Sequence, residues 1–230
     1  RSCLVGSEMC IRDRYNTSLG WYKINKDGTI EDPQFIFTRS KSIGAYTEFS
    51  LGQLEAGTQI GFFVVADGRS AYWSGESGEY GGAIENVGEL SFVDSQGNPA
   101  NIYSNSEAKL VNTVNGEDYS ISKPVYHSNQ NPSLNPDGVV HAGAGWDSER
   151  GDLLIGFEDL YGGGDQDYND LLFWLDLGYN SEQLKYVNAP SLGGINILDV
   201  SGDNLIIADI VVSNNILGCL LYTSDAADES

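Results

Sequence analysis

Short apolar segments separated by turn-forming residues recur along this chain and constrain its fold more than any other feature. Strand-like runs include residues 18–24, 109–114 and 152–157, and Asp27-Gly28 is a strong turn signal. Turns spaced roughly eight to twelve residues apart are typical of all-β sandwiches. No long segment has a convincing helical period. The sequence therefore predicts an all-β fold, a jelly-roll-like β-sandwich with little helix.

Two segments carry further information. Residues 59–66 are apolar at successive positions, which is typical of a central strand buried on both faces. Residues 67–88 are rich in glycine, which predicts a long exposed loop or a hairpin that displays Tyr72, Trp73 and Tyr80. Exposed aromatic rings among polar residues are typical of sugar- and peptide-binding surfaces. The alternative is that two of these rings cap the core.

The charge of the chain excludes several classes of partner. The 230 residues include 12 basic and 33 acidic ones, for a formal net charge of -21 at pH 7. Such a surface repels phosphate backbones and anionic lipid, so neither nucleic-acid binding nor membrane insertion is expected. The chain is 40% hydrophobic and 11% aromatic, which favours a folded protein over a disordered acidic segment.

The two ends differ in character from the rest. Residues 1–14 and 219–230 resemble translated sequencing-adapter strings at the ends of metagenome-assembled proteins, so we expect them to lie outside the fold. All three cysteines, Cys3, Cys10 and Cys219, are in those ends. The remainder therefore has no disulfide framework and no Cys-ligated zinc site. An acidic, glycine-rich β domain without cysteine fits exported bacterial surface proteins that calcium stabilises.

Acidic residues concentrate late in the chain, where residues 151–183 contain eight acids and no Lys or Arg. Within this stretch, oxygen-bearing side chains lie on both sides of three consecutive glycines: Glu158, Asp159, Asp165, Asp167, Asn169 and Asp170. Two carboxylates about 6 Å apart repel by roughly 1–3 kcal/mol at intermediate dielectric constants. A compact loop that holds several carboxylates therefore needs a cation or must stay open to water.

The spacing of these residues indicates calcium. Asp165, Asp167 and Asn169 follow at i, i+2 and i+4, and alternate residues of a tightly curved loop can point at one centre. The glycines 162–164 permit positive-φ turns and close backbone approach. Flexible, charged, oxygen-only ligand sets favour Ca²⁺ over Mg²⁺. The loop is not an EF-hand, because its flanks are strand-like and the expected glycine and glutamate positions do not match.

The same residues carry a family resemblance. Phe157-Glu158-Asp159, Gly162-Gly163-Gly164-Asp165 and Asp167-Tyr168-Asn169-Asp170 together resemble the FEDxxGGGDxDFND signature of domain-of-unknown-function family 4114. Weaker matches extend the resemblance over about residues 17–178. The family occurs in very large bacterial surface proteins and repeats-in-toxin (RTX) adhesins. Residues 15–178 are therefore expected to form one calcium-binding β-sandwich.

The resemblance implies a calcium-dependent adhesion module rather than an enzyme. It would lie at the bacterial cell surface, as part of a longer multidomain chain, and bind an extracellular glycan or peptide. One alternative is a structural spacer domain that calcium stiffens and that has no ligand of its own. A calcium-dependent carbohydrate hydrolase is a further alternative, with Glu158 and Asp159 as acid and base. Neighbours on a strand point to opposite faces, however, so only one of the two can face the ion.

Three other features give weaker expectations. Asp137 and Asp147 are candidates for a second calcium site or an extension of the first. His127 and His141 are the only histidines, too few for a zinc site without further ligands. Residues 179–218 are expected to be a linker followed by the start of a further β domain, or alternatively strands added to the edges of the main sandwich.

Overall fold

The described part of the chain consists almost entirely of β-strands. The computed structural model describes residues 16–43, 47–54, 58–75, 80–147, 149–176, 195–196 and 206–213. Its helical elements are three short 3-10 turns, and none of its helices has the length and apolar character needed to cross a membrane. The all-β prediction is confirmed. The two adapter-like ends lie outside the described residues.

Fifteen strands occur in the described residues. In chain order they are β1 (Ser18–Ile24), β2 (Ile30–Phe37), β3 (Thr47–Leu54), β4 (Gln59–Val65), β5 (Tyr72–Ser74), β6 (Tyr80–Ala83), β7 (Glu89–Val93), β8 (Lys109–Val114), β9 (Glu117–Ile121), β10 (Val125–His127), β11 (Ala142–Asp147), β12 (Asp152–Phe157), β13 (Leu171–Asp176), β14 (Ile195–Asn196) and β15 (Ile206–Ser213).

The strands form three sheets. Sheet I has the order β10-β4-β1-β2, with β14 also paired to β4. Sheet II has the order β11-β12-β13-β15-β3, and Sheet III the order β6-β5-β9-β8-β7. All strand pairs in the three sheets are antiparallel.

Sheet I lies between the other two, and strand β4 shows why. Phe62 belongs to a core shared with Sheet II, where its ring centroid lies 4.9 Å from that of Phe173. Its neighbour Phe63 belongs to a second core shared with Sheet III, 5.2 Å from Phe92. Successive side chains of a strand point to opposite faces, so a strand covered on both faces is apolar at every position. The prediction of a central buried strand is confirmed.

Two hairpins follow local sequence signals. The turn between β1 and β2 closes with a 2.8 Å hydrogen bond from Gly28 N–H to Asn25 O, as Asp27-Gly28 predicts. Between β8 and β9, Asn115 and Gly116 both have positive φ, 54° and 81°. This is the type I′ geometry that an Asn-Gly pair favours in a two-residue hairpin.

The segment 179–218 contributes strands to the same sheets. Of this segment the structure describes Ile195–Asn196, which pairs with β4, and Ile206–Ser213, which pairs with both β13 and β3. The described strands of this segment therefore pair with strands that come earlier in the chain. Strand β15 is not at an edge, since it lies inside the order of Sheet II.

His127, on β10, is fully buried in the second core. Its Nε2 lies 3.2 Å from Ala108 O and its ring meets that of Phe92 edge-on. Burial lowers the pKa of His127 to about 4, although the bond to Ala108 opposes the shift.

We expect this histidine to make stability depend on pH. The unfolded chain takes up a proton near pH 6.5, whereas the folded protein does so only near pH 4. The free energy of unfolding should therefore fall as pH drops through this window, by about 2 kcal/mol at pH 5. Urea unfolding at pH 7.5 and pH 5 measures the loss. The His127→Gln variant should lose less between the two pH values, and an equal loss in both proteins would contradict the prediction.

Candidate metal centre

A loop of residues 158–170 connects β12 to β13. The two strands are antiparallel neighbours, with Phe157 paired to Leu171, so both ends of the loop are held at one edge of Sheet II. Phe157 and Leu171 belong to the core between Sheets I and II. The loop therefore begins and ends on buried, fixed residues.

Two consecutive turns shape the first half of the loop. Gly163 N–H donates to Leu160 O (3.1 Å), and Gln166 N–H donates to Gly163 O (3.0 Å). The three glycines all have positive φ: 81° at Gly162, 78° at Gly163 and 46° at Gly164. Residues with a Cβ rarely adopt this region. The glycine run is thus required by the path of the backbone.

The second half alternates between two backbone conformations. Gln166 and Tyr168 have φ of 62° and 54°, which is uncommon for residues other than glycine. They separate Asp165, Asp167 and Asn169, which do not have positive φ. Because every second residue has a left-handed backbone conformation, this part of the loop is strongly curved. Strained backbone of this kind concentrates at binding sites, where the surrounding structure maintains it.

The loop gathers three carboxylates, those of Glu158, Asp165 and Asp167. One carboxylate oxygen from each lies within 4.8 Å of the other two. Glu158 is buried, whereas Asp165 and Asp167 are exposed. We call these three residues the acidic triad. It has a buried floor and a side open to solvent, and a metal ion could be held there.

Glu158 is the residue that most clearly fits a cation. It is 1% exposed, and its Oε2 has no hydrogen-bond partner among the described residues. Burial raises the pKa of Glu158 to about 9, with further contributions from the neighbouring carboxyl of Asp170 and the charge of Asp165. An unpaired buried carboxylate is costly. A divalent ion against Oε2 would remove that cost.

Gly164 keeps space free beside Glu158. A Cβ added at Gly164 would overlap Glu158 Oε1, whereas one added at Gly162 would meet no atom of the described residues within 4 Å. The donor atoms of the triad are all carboxylate oxygens, which suit hard cations such as Ca²⁺ and Mg²⁺. The donor chemistry, the unpartnered buried oxygen and the space beside it all agree with a metal ion.

Asp137 and His141 support the loop from below. Asp137 Oδ2 accepts from Gly162 N–H (2.7 Å) and lies 2.8 Å from His141 Nε2. The Nδ1–H of His141 donates to the carbonyl oxygen of Glu158 (2.8 Å). Burial would raise the pKa of Asp137, but the hydrogen bonds from Gly162 and His141 lower it below its ordinary value. This buried pair joins the start of the loop to its glycine turn.

The structure contradicts a second metal site built from Asp137 and Asp147. Asp137 lies under the acidic loop, but Asp147 is paired with Asp152 at the opposite end of β12. A strand of this length separates the two by about 17 Å. Asp147 also accepts from Trp174 Nε1 (2.8 Å) and from the backbone N–H of Glu149 (3.0 Å). It caps the β11–β12 turn and anchors Trp174.

The other three predicted ligands, Asp159, Asn169 and Asp170, lie outside the acidic triad. Asp159 is buried and accepts a hydrogen bond from Thr17 Oγ1, on the side of β1, so it is not a solvated neighbour of Glu158, and it lies outside the acidic triad. Its backbone N–H donates to Asp170 Oδ2 (2.9 Å). Asn169 Nδ2 donates to Asp167 Oδ2 (2.5 Å). Asn169 thus contacts Asp167 of the triad, and Asp170 lies next to Glu158 and holds the backbone of Asp159.

The aromatic residues of 67–88 are not displayed as a group. Trp73 is fully buried in the core shared with Sheet III, because β5 pairs with β9 in that sheet. Its prediction as an exposed ligand contact is wrong. Tyr72 is 36% exposed, and the side chain of Tyr80 lies outside the described part of the structure. The exposed aromatic side chain in the acidic loop is Tyr161, which the sequence reasoning missed.

Comparison with known proteins gives one match. A family model described as a domain of unknown function (DUF4114) matches residues 54–178, more than half of the chain. The matched region includes the whole acidic loop. No curated protein and no solved structure matches the chain.

Proposed function

The chain belongs to the DUF4114 family, and from the acidic triad within the matched region we propose that it is a calcium-dependent ligand-binding module. The observation that carries this proposal is the buried Oε2 of Glu158, which has no hydrogen-bond partner in the described part of the chain and lies among the carboxylates of Asp165 and Asp167. Calcium would neutralise these charges and hold the loop against Sheet II. The same ion would then stabilise the fold and form part of the binding surface.

Calcium is favoured over magnesium by the ligand set. Mg²⁺ keeps several waters and is usually bound by one or two carboxylates, whereas Ca²⁺ accepts six to eight oxygens in flexible geometry. The triad offers three carboxylates on a curled loop. Calcium sites in extracellular modules have dissociation constants of roughly 0.1–1 mM, and such an affinity suits this partly exposed site.

We place the module in a large bacterial surface protein, where it would act in adhesion. The long FEDLYGGGDQDYND motif, which resembles the signature found in RTX adhesins, supports this setting. The acidic net charge of -21 also suits a surface protein that works in calcium-containing medium. The ligand would be an extracellular glycan or peptide. Binding is favoured over catalysis, because the carboxylate of Asp159 accepts from Thr17 and lies outside the triad that contains Glu158.

A spacer role without a ligand is the second candidate. The acidic loop is anchored in the core between Sheets I and II, so an ion held there could serve stiffness alone. A glycan and peptide array with and without calcium separates the two functions. Binding that requires calcium supports the adhesion module, and no binding under either condition supports the spacer.

Asp167→Ala is expected to weaken calcium binding by roughly ten- to a hundredfold, because it removes one charged ligand from the triad. Isothermal titration calorimetry measures the change. Asp176→Ala is the control, since Asp176 lies on β13 outside the triad, and it should bind calcium as the unchanged protein does. Equal affinities for the two variants would contradict the proposed site.

A further inference from the structure

We propose that Tyr161 and Leu160 form, together with the calcium ion of the acidic triad, a binding surface for a neutral, hydroxyl-rich carbohydrate. This inference rests on the proposed function, and it names the class of ligand and the residues that contact it. The ion would bind two sugar hydroxyls, and the Tyr161 ring would cover the apolar face of the same sugar.

Tyr161 and Leu160 are exposed in a way that the fold does not require. Tyr161 is 71% exposed and Leu160 40% exposed, whereas the apolar residues on either side, Phe157 and Leu171, are buried. Exposed aromatic residues next to polar groups are typical of sites where a ring stacks and polar atoms specify the partner. The two side chains lie between Glu158 and Asp165, so they belong to the triad's own loop.

The backbone holds these side chains in a fixed turn. Gly163 N–H donates to Leu160 O, and Gly162 N–H donates to the buried carboxylate of Asp137. Asp137 is itself held by His141. A surface that is ordered before the ligand arrives loses less conformational entropy on binding. Tyr161 is therefore presented by a pre-organised turn.

The open side of the triad leaves room for ligand oxygens. Asp165 and Asp167 are exposed, whereas Glu158 closes the site from below. Ca²⁺ takes six to eight oxygen ligands, more than three monodentate carboxylates supply. Because Asp165 and Asp167 are exposed, the remaining positions would be open to solvent, where two neighbouring hydroxyls of a sugar could replace water.

Charge decides which ligand fits. Three carboxylates around a divalent ion leave a net charge of about -1, and Asp170 lies close to Glu158. The chain as a whole carries -21. A phosphate, a sialic acid or a peptide carboxylate would approach against this charge, since like charges brought together cost several kcal/mol. Neutral hydroxyls complete the ion's shell without adding charge.

The test uses the full chain and a panel of immobilised glycosides. The neutral probes are mannose, galactose, fucose and glucose conjugates; the anionic probes are sialic acid and glucuronic acid conjugates; and a peptide array is run alongside. Binding to at least one neutral probe is expected in millimolar calcium, and EGTA should abolish it.

Tyr161→Ala should lower the apparent affinity for the neutral probe about tenfold, and Tyr161→Phe should retain it. Tyr103→Ala is the matched control. Tyr103 is 66% exposed, but it packs beside Gly28 at the far end of β1 from Thr17. The control should bind as the unchanged protein does. Calcium affinity by calorimetry should be the same in all three variants, because none of them removes a triad carboxylate.

The outcomes separate the two proposals. Calcium binding without any neutral-glycan binding, or an unchanged affinity in Tyr161→Ala, overturns the carbohydrate surface and leaves the metal site standing. Binding only to anionic probes or only to peptides also overturns it. If calorimetry shows no calcium binding, the proposed function itself fails.

Discussion

EGTA is expected to lower the melting temperature of this protein by about 5–10 °C. An ion that binds the folded state at 100 times its dissociation constant stabilises that state by about 2.7 kcal/mol. For chains of this size, each kcal/mol shifts the melting temperature by roughly 2–4 °C. The physical source of the effect is local, because without a cation Glu158 Oε2 is buried with no hydrogen-bond partner among the residues that the structure describes.

Differential scanning calorimetry with calcium and with EGTA measures the shift. Asp167→Ala should show a much smaller difference between the two conditions, since it binds the ion weakly in both. Asp176→Ala should show the full difference. Identical melting curves for the unchanged protein, together with no heat of calcium binding, would remove the metal from its role in stability.

Gly164→Ala is expected to weaken calcium binding at least tenfold more than Gly162→Ala. Both glycines have positive φ, 46° and 81°, so an alanine at either site carries backbone strain of about 1–2 kcal/mol. The difference lies in what the new methyl group meets. At Gly162 it enters open space, whereas at Gly164 it overlaps Glu158 Oε1 and must displace that carboxylate.

This pair of variants separates strain from ligand geometry. Melting temperatures in EGTA report the strain, and calorimetric titrations with calcium report the position of Glu158. Comparable calcium affinities in the two variants would show that the space beside Glu158 does not matter for the ion.

Strand positions were predictable where burial imposes a pattern. Strand β12 is buried at every position, and the run without polar side chains over residues 153–157 marks most of its length in the sequence. Strand β9 was missed, because Glu117–Ile121 has no buried residue, although Asn115-Gly116 is a hairpin signal. Strand β11 begins only at Ala142, because Gly138 has positive φ and Val139 O accepts from Asn135 Nδ2. Strand β11 consists largely of Ala and Gly, so its sequence shows little alternation between apolar and polar side chains.

The candidate metal centre was predictable only in its local part. Glu158, Asp165 and Asp167 lie close together in sequence, so their spacing indicates a shared centre. The groups that hold the loop, His141 and Thr17, contact it across 17 and 142 residues of chain. Such contacts depend on the register of distant strands, which composition and spacing do not reveal. The sequence left the burial of Trp73 as one of two alternatives for the same reason, since that burial follows from pairing with β9.

The position of β15 has a consequence for the order of folding. Strand β15, residues 206–213, pairs on one side with β13, which follows the acidic loop, and on the other with the early strand β3. Until those residues leave the ribosome, β13 and β3 each have an unpaired edge, and unpaired edges promote association between chains. Pairing over so long a sequence separation is also slow. All strands of Sheet II can therefore pair only late in synthesis. A polypeptide that stops at residue 178, where the family match ends, would lack β15, the strand that connects β13 to β3.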